Sequence, residues 1–389
     1  MTSSDVIVVG LGAMGSAALR ALAKAGVRTL GLDMFSPPHT EGSTHGESRI
    51  TRWANGEGDF YQPLIKRSFE LWEDIEQETG ETLFHPSGGL IIAPKEGGAG
   101  FHGHAGFVER SASIAKTYGV KHQVLDARGI KQHAPMLKVT DSEHAYYSPS
   151  SGILRPEKCT EMQLRLARKK GATLRLNERV LEYSYSDDSV TLTTDKEHYQ
   201  AEKIIFTTGA WMRSFMPKES RNLLKIYTQD IFWFEVDEPK RFYHENFPFV
   251  MWTKKDRNDY FCAFPTPEDG TPALKIMSEQ YLEWTPEPLK TQVSPGEQEA
   301  FYETYIVPNI KGVKPSCVKA ARCHYTLTPD EHFILDVHPD SERVVLASPC
   351  SGHGFKFSSA IGECLAQLAL EGRSNIDLGP FRLDRFKEG

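Results

Sequence analysis

The chain lacks the marks of several protein classes. Its six cysteines are scattered, and no pair has the C-x-x-C spacing of a structural zinc site or a redox dithiol. No apolar run approaches the roughly 20 residues that span a membrane, and the first five residues lack the positive charge of a signal peptide. The net charge of −7, without a basic stripe, argues against nucleic-acid binding. We therefore expect a cytoplasmic protein without a metal, membrane or nucleic-acid partner, whose cysteines stay thiols unless one is chemically special.

The composition is that of a globular protein. The 389 residues are 39% hydrophobic and 25% charged, and they suffice for two domains or for one large α/β domain with an insertion. The outer thirds alternate short β-branched strands with helices, whereas residues 226–319 are rich in aromatic and β-branched residues. This change predicts an antiparallel sheet domain inserted into an α/β domain. The predicted helices are Ala13–Ala25, Leu64–Glu78, Pro156–Lys170, Glu297–Ile306 and Ser358–Leu370. The segment Ser36–Gly58 is predicted to be a long ordered loop.

A dinucleotide-binding pattern opens the chain. The short strand Asp5–Val9 runs into G-x-G-x-x-G at residues 10–15, and an alanine-rich helix and a second strand, Val27–Asp33, follow. The first glycine permits a tight turn, the second lets the backbone approach a pyrophosphate, and the third lets helix and strand pack closely. The helix start can bind phosphate, and Asp33 can accept hydrogen bonds from a ribose. Glycines alone often mark an ordinary turn, but the whole pattern predicts dinucleotide binding.

The glycine pattern alone does not separate NAD from FAD. Its place at the start of the chain favours FAD. A second apolar strand, which begins at Lys203 and ends in the small-residue turn Thr207-Thr208-Gly209-Ala210-Trp211, favours FAD further. Many flavoproteins return a second strand and turn of this kind to the dinucleotide. We therefore predict that the cofactor is FAD.

Four further motifs carry a family resemblance over nearly the whole chain. They are Pro37-Pro38-His39 with Gly42 to Arg52, Cys323-His324-Tyr325-Thr326 with Pro329 to Asp336, the turn Ser351 to Phe357, and the tail Asp377 to Leu383. In this order they resemble the monomeric sarcosine oxidase family, which includes N-methyltryptophan oxidase and pipecolate oxidase. The resemblance is weakest between Glu279 and Cys317.

The resemblance implies an α/β fold, α+β overall, with a Rossmann-like FAD-binding domain and an inserted antiparallel-sheet substrate domain. The expected FAD-binding domain comprises residues 1–80, 145–220 and 323–389, and the expected substrate domain comprises residues 81–144 and 221–322. The implied activity is that of a monomeric FAD-dependent oxidase of a small secondary amino acid, either N-methylated or cyclic. Such an enzyme oxidises a C–N bond to an imine, which water hydrolyses, and reduces O2 to H2O2.

The resemblance also assigns the residues of the site. Arg49, His45 and Lys275 would act beside the flavin, and Arg52, Lys356 and Tyr325 would bind the substrate. The residues implied to hold FAD are Gly10, Gly12, Ala13, Met14, Gly15, Asp33, Met34, His39, Ser43, Thr44, Arg49, Ile50, Val180, Gly209, Trp211, Cys323, Gly352, His353, Gly354 and Lys356.

Two of the implied roles concern the cationic side chains. Arg49 would stabilise an anionic reduced flavin, and Arg52 with Lys356 would bind a substrate carboxylate. Lys275 would lie over the flavin ring and stabilise developing superoxide. From the residues alone, the arginines can equally be solvated, Lys356 a surface lysine beside a glycine turn, and Lys275 an outward-facing residue of an alternating strand.

The remaining implied role is covalent. Cys323 would form a thioether with the 8-methyl group of the flavin, which prevents loss of the cofactor. A lone cysteine is most often a buried inert thiol, and Cys317 is a competing candidate, although its neighbours lack the Cys-x-Tyr-Thr match. The sequence places Cys323 at the end of a strand, on the border between the two domains.

Departures from the family pattern leave the substrate side chain open. Some relatives have a histidine where this chain has Glu279, four residues after Lys275, and Trp53 stands where a histidine is common. The segment from Ser348 to Cys350 replaces small and aromatic residues. We expect these changes to cluster around the substrate side chain. Two rival functions remain: a flavin dehydrogenase that passes electrons to a carrier protein, and a non-catalytic FAD-binding sensor.

Overall fold

A computed structural model of the chain describes residues 2–97, 100–101, 104–255, 259–279 and 292–387. The helices are α1 (Ala13–Lys24), α2 (Gln62–Thr79), α3 (Phe107–Thr117), α4 (Ala127–His133), α5 (Pro156–Lys169), α6 (Pro295–Phe301) and α7 (Ser358–Glu371). The strands are β1 (Thr2–Val9), β2 (Thr29–Asp33), β3 (Arg49–Thr51), β4 (Phe84–His85), β5 (Gly89–Pro94), β6 (Gln123–Asp126), β7 (Glu143–Ser148), β8 (Gly152–Leu154), β9 (Thr173–Leu176), β10 (Val180–Tyr185), β11 (Val190–Thr194), β12 (His198–Phe206), β13 (Lys225–Val236), β14 (Phe249–Thr253), β15 (Tyr260–Phe264), β16 (Ala273–Ser278), β17 (Val313–Leu327), β18 (Ile334–His338) and β19 (Ser341–Ser348).

The first sheet is built around the predicted β-α-β unit. β1 lies between β2 and β12 and is parallel to both, while β9 and β19 extend the parallel arrangement at the two sides. β10, β11 and β18 add antiparallel strands. Because both faces of the central strands are covered, Val6, Ile7 and Val8 are all buried, as the continuous apolar run predicts. The Rossmann-like α/β fold is therefore confirmed.

The second sheet is mainly antiparallel, in the order β17-β13-β16-β15-β14-β5-β7-β6, with β14 and β5 as a parallel pair. β13 is central to the site because it pairs with β17 on one side and β16 on the other. Gln229 of β13 lies opposite Cys323, and Trp233 lies opposite Lys275. Aromatic side chains such as Phe232 and Trp252 fill the core of this sheet. The predicted sheet region also contains residues 280–291, which lie outside the described residues.

Three local predictions need correction or refinement. The segment Ser36–Gly58 is not entirely a loop, because Arg49–Thr51 form a short strand that pairs antiparallel with β8. The helix expected at Glu297–Ile306 begins at Pro295 and passes into a π-helical turn at Tyr302. Cys323 lies inside the continuous strand β17, four residues before its end, and not at a strand end.

Two further features of the fold bear on the predictions. All six cysteines are free thiols in this structure. Among the described residues, no helix combines the length and the apolar character needed to cross a membrane.

Candidate active site

One large cavity joins the two sheets. It has a volume of about 640 Å³ and is lined by the glycine turn after β1, by the ends of β2 and β12, by the segment before β3, and by residues of β13, β15 and β17. A cleft of this size, with mostly apolar walls and a few convergent polar groups, is typical of a cofactor or substrate site. Ligands of open parallel sheets bind at the carboxyl ends of the strands, which is where β1, β2 and β12 meet the cavity.

The glycine turn has the close packing expected of a dinucleotide site. Gly10 has a φ of +85°, and a Cβ atom there would lie 2.6 Å from the carbonyl oxygen of Thr207. A Cβ atom on Gly15 would lie 1.7 Å from the carbonyl oxygen of Gly10, so helix and strand approach as only glycine allows. Gly12 is the N-cap of α1 and lines the cavity, which leaves the start of this helix open to a phosphate.

Asp33 links the turn to the second strand. Its Oδ2 accepts a hydrogen bond of 2.7 Å from the backbone N–H of Leu11, and its Oδ1 accepts one of 2.8 Å from the N–H of Phe35. His39 Nε2 lies 3.7 Å from Oδ1. The carboxylate is buried and lines the cavity, so it both holds the turn and faces the position of a ribose.

Arg49, Lys275 and Cys323 come together at the far end of the cavity. The carbonyl oxygen of Ser48 accepts hydrogen bonds from Arg49 Nη1 at 2.8 Å and from Lys275 Nζ at 2.6 Å, so the two cations share one acceptor. Lys275 is buried, which excludes the outward-facing alternative. Burial first, and then the charge of Arg49, holds the pKa of Lys275 well below its ordinary value. The charge of Arg49, which lines the cavity, favours an anionic ligand beside it.

Cys323 is a buried thiol that lines the same end of the cavity. Its Sγ donates to the carbonyl oxygen of Gln229 at 3.5 Å. Burial raises the pKa of the Cys323 thiol, whereas the nearby charges of Arg49 and Lys275 act in the opposite direction. The competitor Cys317 is on the same strand but does not line the cavity. The geometry therefore favours Cys323 over Cys317 as a residue that can reach a cofactor.

His45 lies behind this cluster. Burial, followed by the charge of Arg49, lowers the pKa of His45 to about 4, so the imidazole is neutral at neutral pH. Among the described residues, nothing forms a hydrogen bond with its buried Nε2. A buried ring nitrogen without a partner is rare in native structures.

Arg52 and Lys356 converge on a buried acid, Glu57. Arg52 donates to Glu57 in a short ion pair, and Lys356 Nζ lies 3.8 Å from the same oxygen. All three residues are only 2% exposed, which excludes the solvated-arginine and surface-lysine alternatives for Arg52 and Lys356. Burial lowers the pKa of Lys356 to about 7, although the charge of Glu57 acts in the opposite direction. Arg52 Nε is buried, and no described group accepts a hydrogen bond from it.

The cavity wall beside these cations comes from the second sheet. The lining residues there are Gln229, Ile231, Met251, Tyr260, Cys262, Phe264, Met277, Glu279 and Tyr325. Tyr260 Oη donates to Glu279 Oε1 at 3.1 Å. The wall is mostly apolar, and Glu279 is the one acidic side chain among these lining residues.

Most of the residues expected at the site line the cavity. The exceptions among them are Gly15, His45 and Lys275, which do not line it. The departures from the family pattern are only partly clustered. Pro349, Cys350 and Glu279 line the cavity. Trp53 does not line it and instead stacks on Phe69, with ring centroids 4.1 Å apart. The expectation that Trp53 lies with the other departures around the substrate is therefore wrong.

Sequence reasoning missed two residues of this site. Glu57 is the counter-ion of the cation pair, and Ser48 supplies the shared acceptor for Arg49 and Lys275. A glutamate between two glycines and five positions after Arg52 was the available signal for Glu57. No comparable signal marks Ser48, whose carbonyl oxygen accepts from both cations and whose Oγ also accepts from Lys275 at 3.1 Å.

The comparisons with known proteins agree with this geometry. The family model for FAD dependent oxidoreductases matches residues 5–368. The chain belongs to this family. The oxidoreductase is 37% identical over 387 residues to the monomeric sarcosine oxidase of Bacillus sp. (strain NS-129), covering 99% of this chain and 97% of that protein. It is 31% identical over 388 residues to the N-methyl-L-tryptophan oxidase of Salmonella enteritidis PT4 (strain P125109), covering 99% of both chains. The resemblance to the monomeric sarcosine oxidase family is thus confirmed, and so is FAD as the cofactor.

Solved structures share the fold of this oxidoreductase. NikD, an unusual amino acid oxidase essential for nikkomycin biosynthesis, superposes in its open form with a TM-score of 0.82 at 21% identity, covering 98% of each chain. Glycine oxidase from Geobacillus kaustophilus superposes with a TM-score of 0.77 at 19% identity, over the full length of both chains. At these identities the likeness concerns the fold alone.

Proposed function

We propose that this oxidoreductase oxidises a small secondary amino acid, N-methylated or cyclic, and reduces O2 to H2O2. The observation that carries the proposal is a single cavity whose lining combines a dinucleotide turn, the buried side chains of Arg52 and Lys356, and Arg49, which shares the Ser48 oxygen with Lys275. The names of the relatives, sarcosine oxidase and N-methyl-L-tryptophan oxidase, support the same substrate class. With an N-methylated substrate, amine, O2 and water give a carbonyl compound, a smaller amine and H2O2. With a cyclic substrate, O2 is reduced to H2O2 and hydrolysis of the ring imine leaves the carbonyl and the amine in one molecule.

The FAD site fits residues that the structure already brings together. The glycine turn from Gly10 to Gly15 would hold the pyrophosphate and Asp33 a ribose, while Gly352 and Gly354 line the cavity where the ring system would end. When bound, FAD supplies the two-electron acceptor for the substrate and the donor for O2. We place Cys323 as the residue that attaches it covalently, because this thiol lines the cavity next to Arg49 and Lys275.

Arg52 and Lys356 would bind and orient the substrate carboxylate. A guanidinium matches a carboxylate through two parallel hydrogen bonds, and the buried Nε of Arg52 is one donor available for this. In the structure Glu57 partly neutralises the two cations, so they are held in place before a substrate binds. The substrate carboxylate then completes the charge balance of a cluster that is otherwise net positive when Lys356 is protonated.

Arg49, Lys275 and His45 would set the electrostatic environment of the reacting centre. Arg49 and Lys275 would stabilise the negative charge that develops during reduction of the flavin and during electron transfer to O2. His45 stays neutral because its pKa is low, and it would contribute hydrogen bonding without a further charge. The amine must be neutral to release a hydride equivalent, and the nearby cations of Arg52 and Lys356 would lower the pKa of a bound ammonium.

We extend the proposal to the organisation of the chain. The FAD domain would comprise residues 1–80, 145–220 and 323–389, and the substrate domain residues 81–144 and 221–322. The long strand β17 runs through Cys323, so the two domains would share this strand at their border. The chain would act as a monomer, as the name of the Bacillus relative states for that protein.

A screen for peroxide tests the proposed function. The purified protein should release H2O2 in plain aerobic buffer with at least one N-methyl or cyclic secondary amino acid, and the same compound should bleach its flavin under anaerobic conditions. Bleaching without peroxide would indicate a dehydrogenase that needs a carrier protein. Absence of bleaching with the whole set would contradict a catalytic role and favour a non-catalytic FAD-binding protein.

A further inference from the structure

The backbone turn from Gly46 to Ser48 lies directly before β3 and has an unusual conformation. Glu47, which carries a side chain, has a φ of +69°, and the preceding Gly46 has a φ of +98°. A residue other than glycine rarely adopts a positive φ, and it keeps this conformation only where its surroundings impose it. The turn ends at the Ser48 carbonyl oxygen, which is the shared acceptor of Arg49 and Lys275. The contacts that impose the turn therefore also fix the position of this acceptor.

Every backbone polar group of this turn has a partner. The N–H groups of Gly46 and Glu47 both donate to Glu157 Oε1, at 2.6 and 3.1 Å. The carbonyl oxygen of Glu47 accepts from Arg155 Nε at 3.2 Å. The N–H of Ser48 donates to the carbonyl oxygen of Gly46 at 2.8 Å, within the turn. The first two residues of the turn are thus held from outside by Arg155 and Glu157, at the start of α5.

The contacts of Glu157 exceed those of an ordinary acidic residue at the start of a helix. Such a residue interacts favourably with the helix dipole, and Glu157 lies in the first turn of α5. Its Oε1, however, accepts hydrogen bonds from residues 111 and 110 positions earlier in the chain. Successive N–H groups of a turn form a concavity that binds an anion, and hydrogen bonds to a charged acceptor are about twice as strong as neutral ones. The carboxylate therefore stabilises a turn that is otherwise strained.

Lys275 depends on this turn more than Arg49 does. Among the described residues, Lys275 forms hydrogen bonds with Ser48 alone, to the carbonyl oxygen at 2.6 Å and to Oγ at 3.1 Å. Arg49 has a second acceptor, because its Nη2 also donates to the carbonyl oxygen of Ser43 at 2.7 Å. A movement of the turn should therefore displace the Lys275 ammonium, while Arg49 keeps one of its hydrogen bonds.

The charge of Glu157 also acts on Lys275. Burial first, and then the charge of Arg49, lowers the pKa of Lys275. Three groups raise this pKa, in descending order Glu157, Glu47 and Cys323. Hydrogen bonds that the lysine donates also favour its ammonium form. Removal of the Glu157 carboxylate would take away the largest opposing charge and the support of the turn, and both losses favour the neutral lysine.

We propose that Glu157 is a positioning residue for the reaction with O2, because by holding the turn from Gly46 to Ser48 it keeps Lys275 in place. In that reaction O2 takes up two electrons from the reduced flavin and two protons, and becomes H2O2. The inference rests on the proposed role of Lys275 beside the flavin. Glu157 does not line the cavity, so it acts through Lys275 and not on the reacting atoms.

Reoxidation of the flavin tests the inference without any substrate. The holoenzyme is reduced photochemically without oxygen, mixed with O2 in a stopped-flow instrument and followed by flavin absorbance over a range of pH. Glu157→Ala should slow reoxidation by about tenfold or more at neutral pH, the range of one charge-assisted hydrogen bond. Glu157→Gln keeps an oxygen that can accept from the turn and should be slowed much less. Glu161→Ala removes a carboxylate from an exposed position on the same helix and should match wild type.

The pH profile distinguishes positioning from a general loss of structure. Wild-type reoxidation should fall as the pH rises past the pKa of Lys275, and in Glu157→Ala this fall should begin at lower pH. Slowing by one constant factor at every pH would indicate structural damage alone and would overturn the inference. Equal slowing in Glu157→Gln and Glu157→Ala would assign the effect to the lost charge and would also overturn the positioning role.

A crystal structure of the Glu157→Ala holoenzyme gives a measurement that does not depend on activity. The turn should shift, and Lys275 Nζ should no longer form a hydrogen bond with the Ser48 carbonyl oxygen. An unchanged turn and contact would contradict the inference. If Glu157→Ala does not fold, Glu157→Gln provides the test, because its weaker acceptor and lost charge should still move the fall in reoxidation to lower pH; an unchanged rate and profile would overturn the inference.

Lys275→Met separates this inference from the proposed function. If Lys275→Met slows reoxidation but Glu157→Ala does not, the inference alone is wrong and the role of Lys275 stands. If Lys275→Met reoxidises as fast as wild type, the proposed role of Lys275 fails and the inference with it.

Discussion

The cation pair makes a quantitative prediction about pH. Lys356 is fully buried, and its pKa in the protein is about 7 because burial disfavours the ammonium. Below pH 7 the ammonium is present and binds an anion; above pH 7 the free protein loses the proton. Two pH units above this pKa, only about 1% of the free protein retains the charge, which corresponds to about 2.7 kcal/mol. Because half of the free protein already lacks this proton at pH 7, binding of a small carboxylate inhibitor should weaken by up to about fiftyfold between pH 7 and pH 9.

The assay is a titration of the flavin absorbance with the inhibitor at a series of pH values. The loss of affinity should approach tenfold per pH unit and level off at the pKa of Lys356 in the complex, which the bound anion raises. Lys356→Met should bind the inhibitor weakly and with nearly the same affinity from pH 7 to pH 9. This variant also separates Lys356 from His353, whose Nδ1 lies 3.9 Å from the same Glu57 oxygen.

A matched control is Lys116→Met, which removes the same charge from an exposed position on α3 and should retain the wild-type pH dependence. If the wild-type protein binds the inhibitor with the same affinity at pH 7 and pH 9, the lowered pKa of Lys356 is refuted. The same slope in Lys356→Met as in wild type would assign the titration to another group.

Three further predictions concern the flavin and the substrate carboxylate. After acid precipitation the flavin should remain with the wild-type protein and with Cys317→Ser, whereas Cys323→Ser should release it; free FAD from wild type would contradict covalent attachment. Lys275→Met should slow reoxidation of the reduced flavin far more than its reduction, as measured by stopped flow, and equal effects would remove the proposed oxygen role. Arg52→Gln should weaken apparent affinity for an amino-acid substrate by roughly ten- to a hundredfold, since a charge-assisted hydrogen bond contributes about 1.5–3 kcal/mol. Its turnover of a decarboxylated amine should be nearly unchanged, and an equal loss with that amine would show that Arg52 does not act through the carboxylate.

The sequence alone was sufficient to predict the dinucleotide-binding unit and to identify the family. Strand, glycine turn, helix and acid are local features, because each depends on residues within about 30 positions of one another. Gly10 and Gly15 occupy positions where a Cβ atom would collide with backbone, Gly10 with the turn after β12 and Gly15 with the turn after β1, so both glycines reflect the close packing of this unit. The helices near Leu64 and Pro156 were equally accessible from their periodic apolar residues, to within a few positions at their ends.

The protonation states of the site were decided only by the tertiary structure. Arg52 and Glu57 are close in sequence, but Lys356 reaches them from about 300 residues away, and its low pKa follows from burial that no local pattern reveals. The sharing of the Ser48 oxygen by Arg49 and Lys275 depends on the fold for the same reason. Glu279 was visible in the sequence as a departure from the family, but only the tertiary structure shows that it lines the cavity and accepts a hydrogen bond from Tyr260.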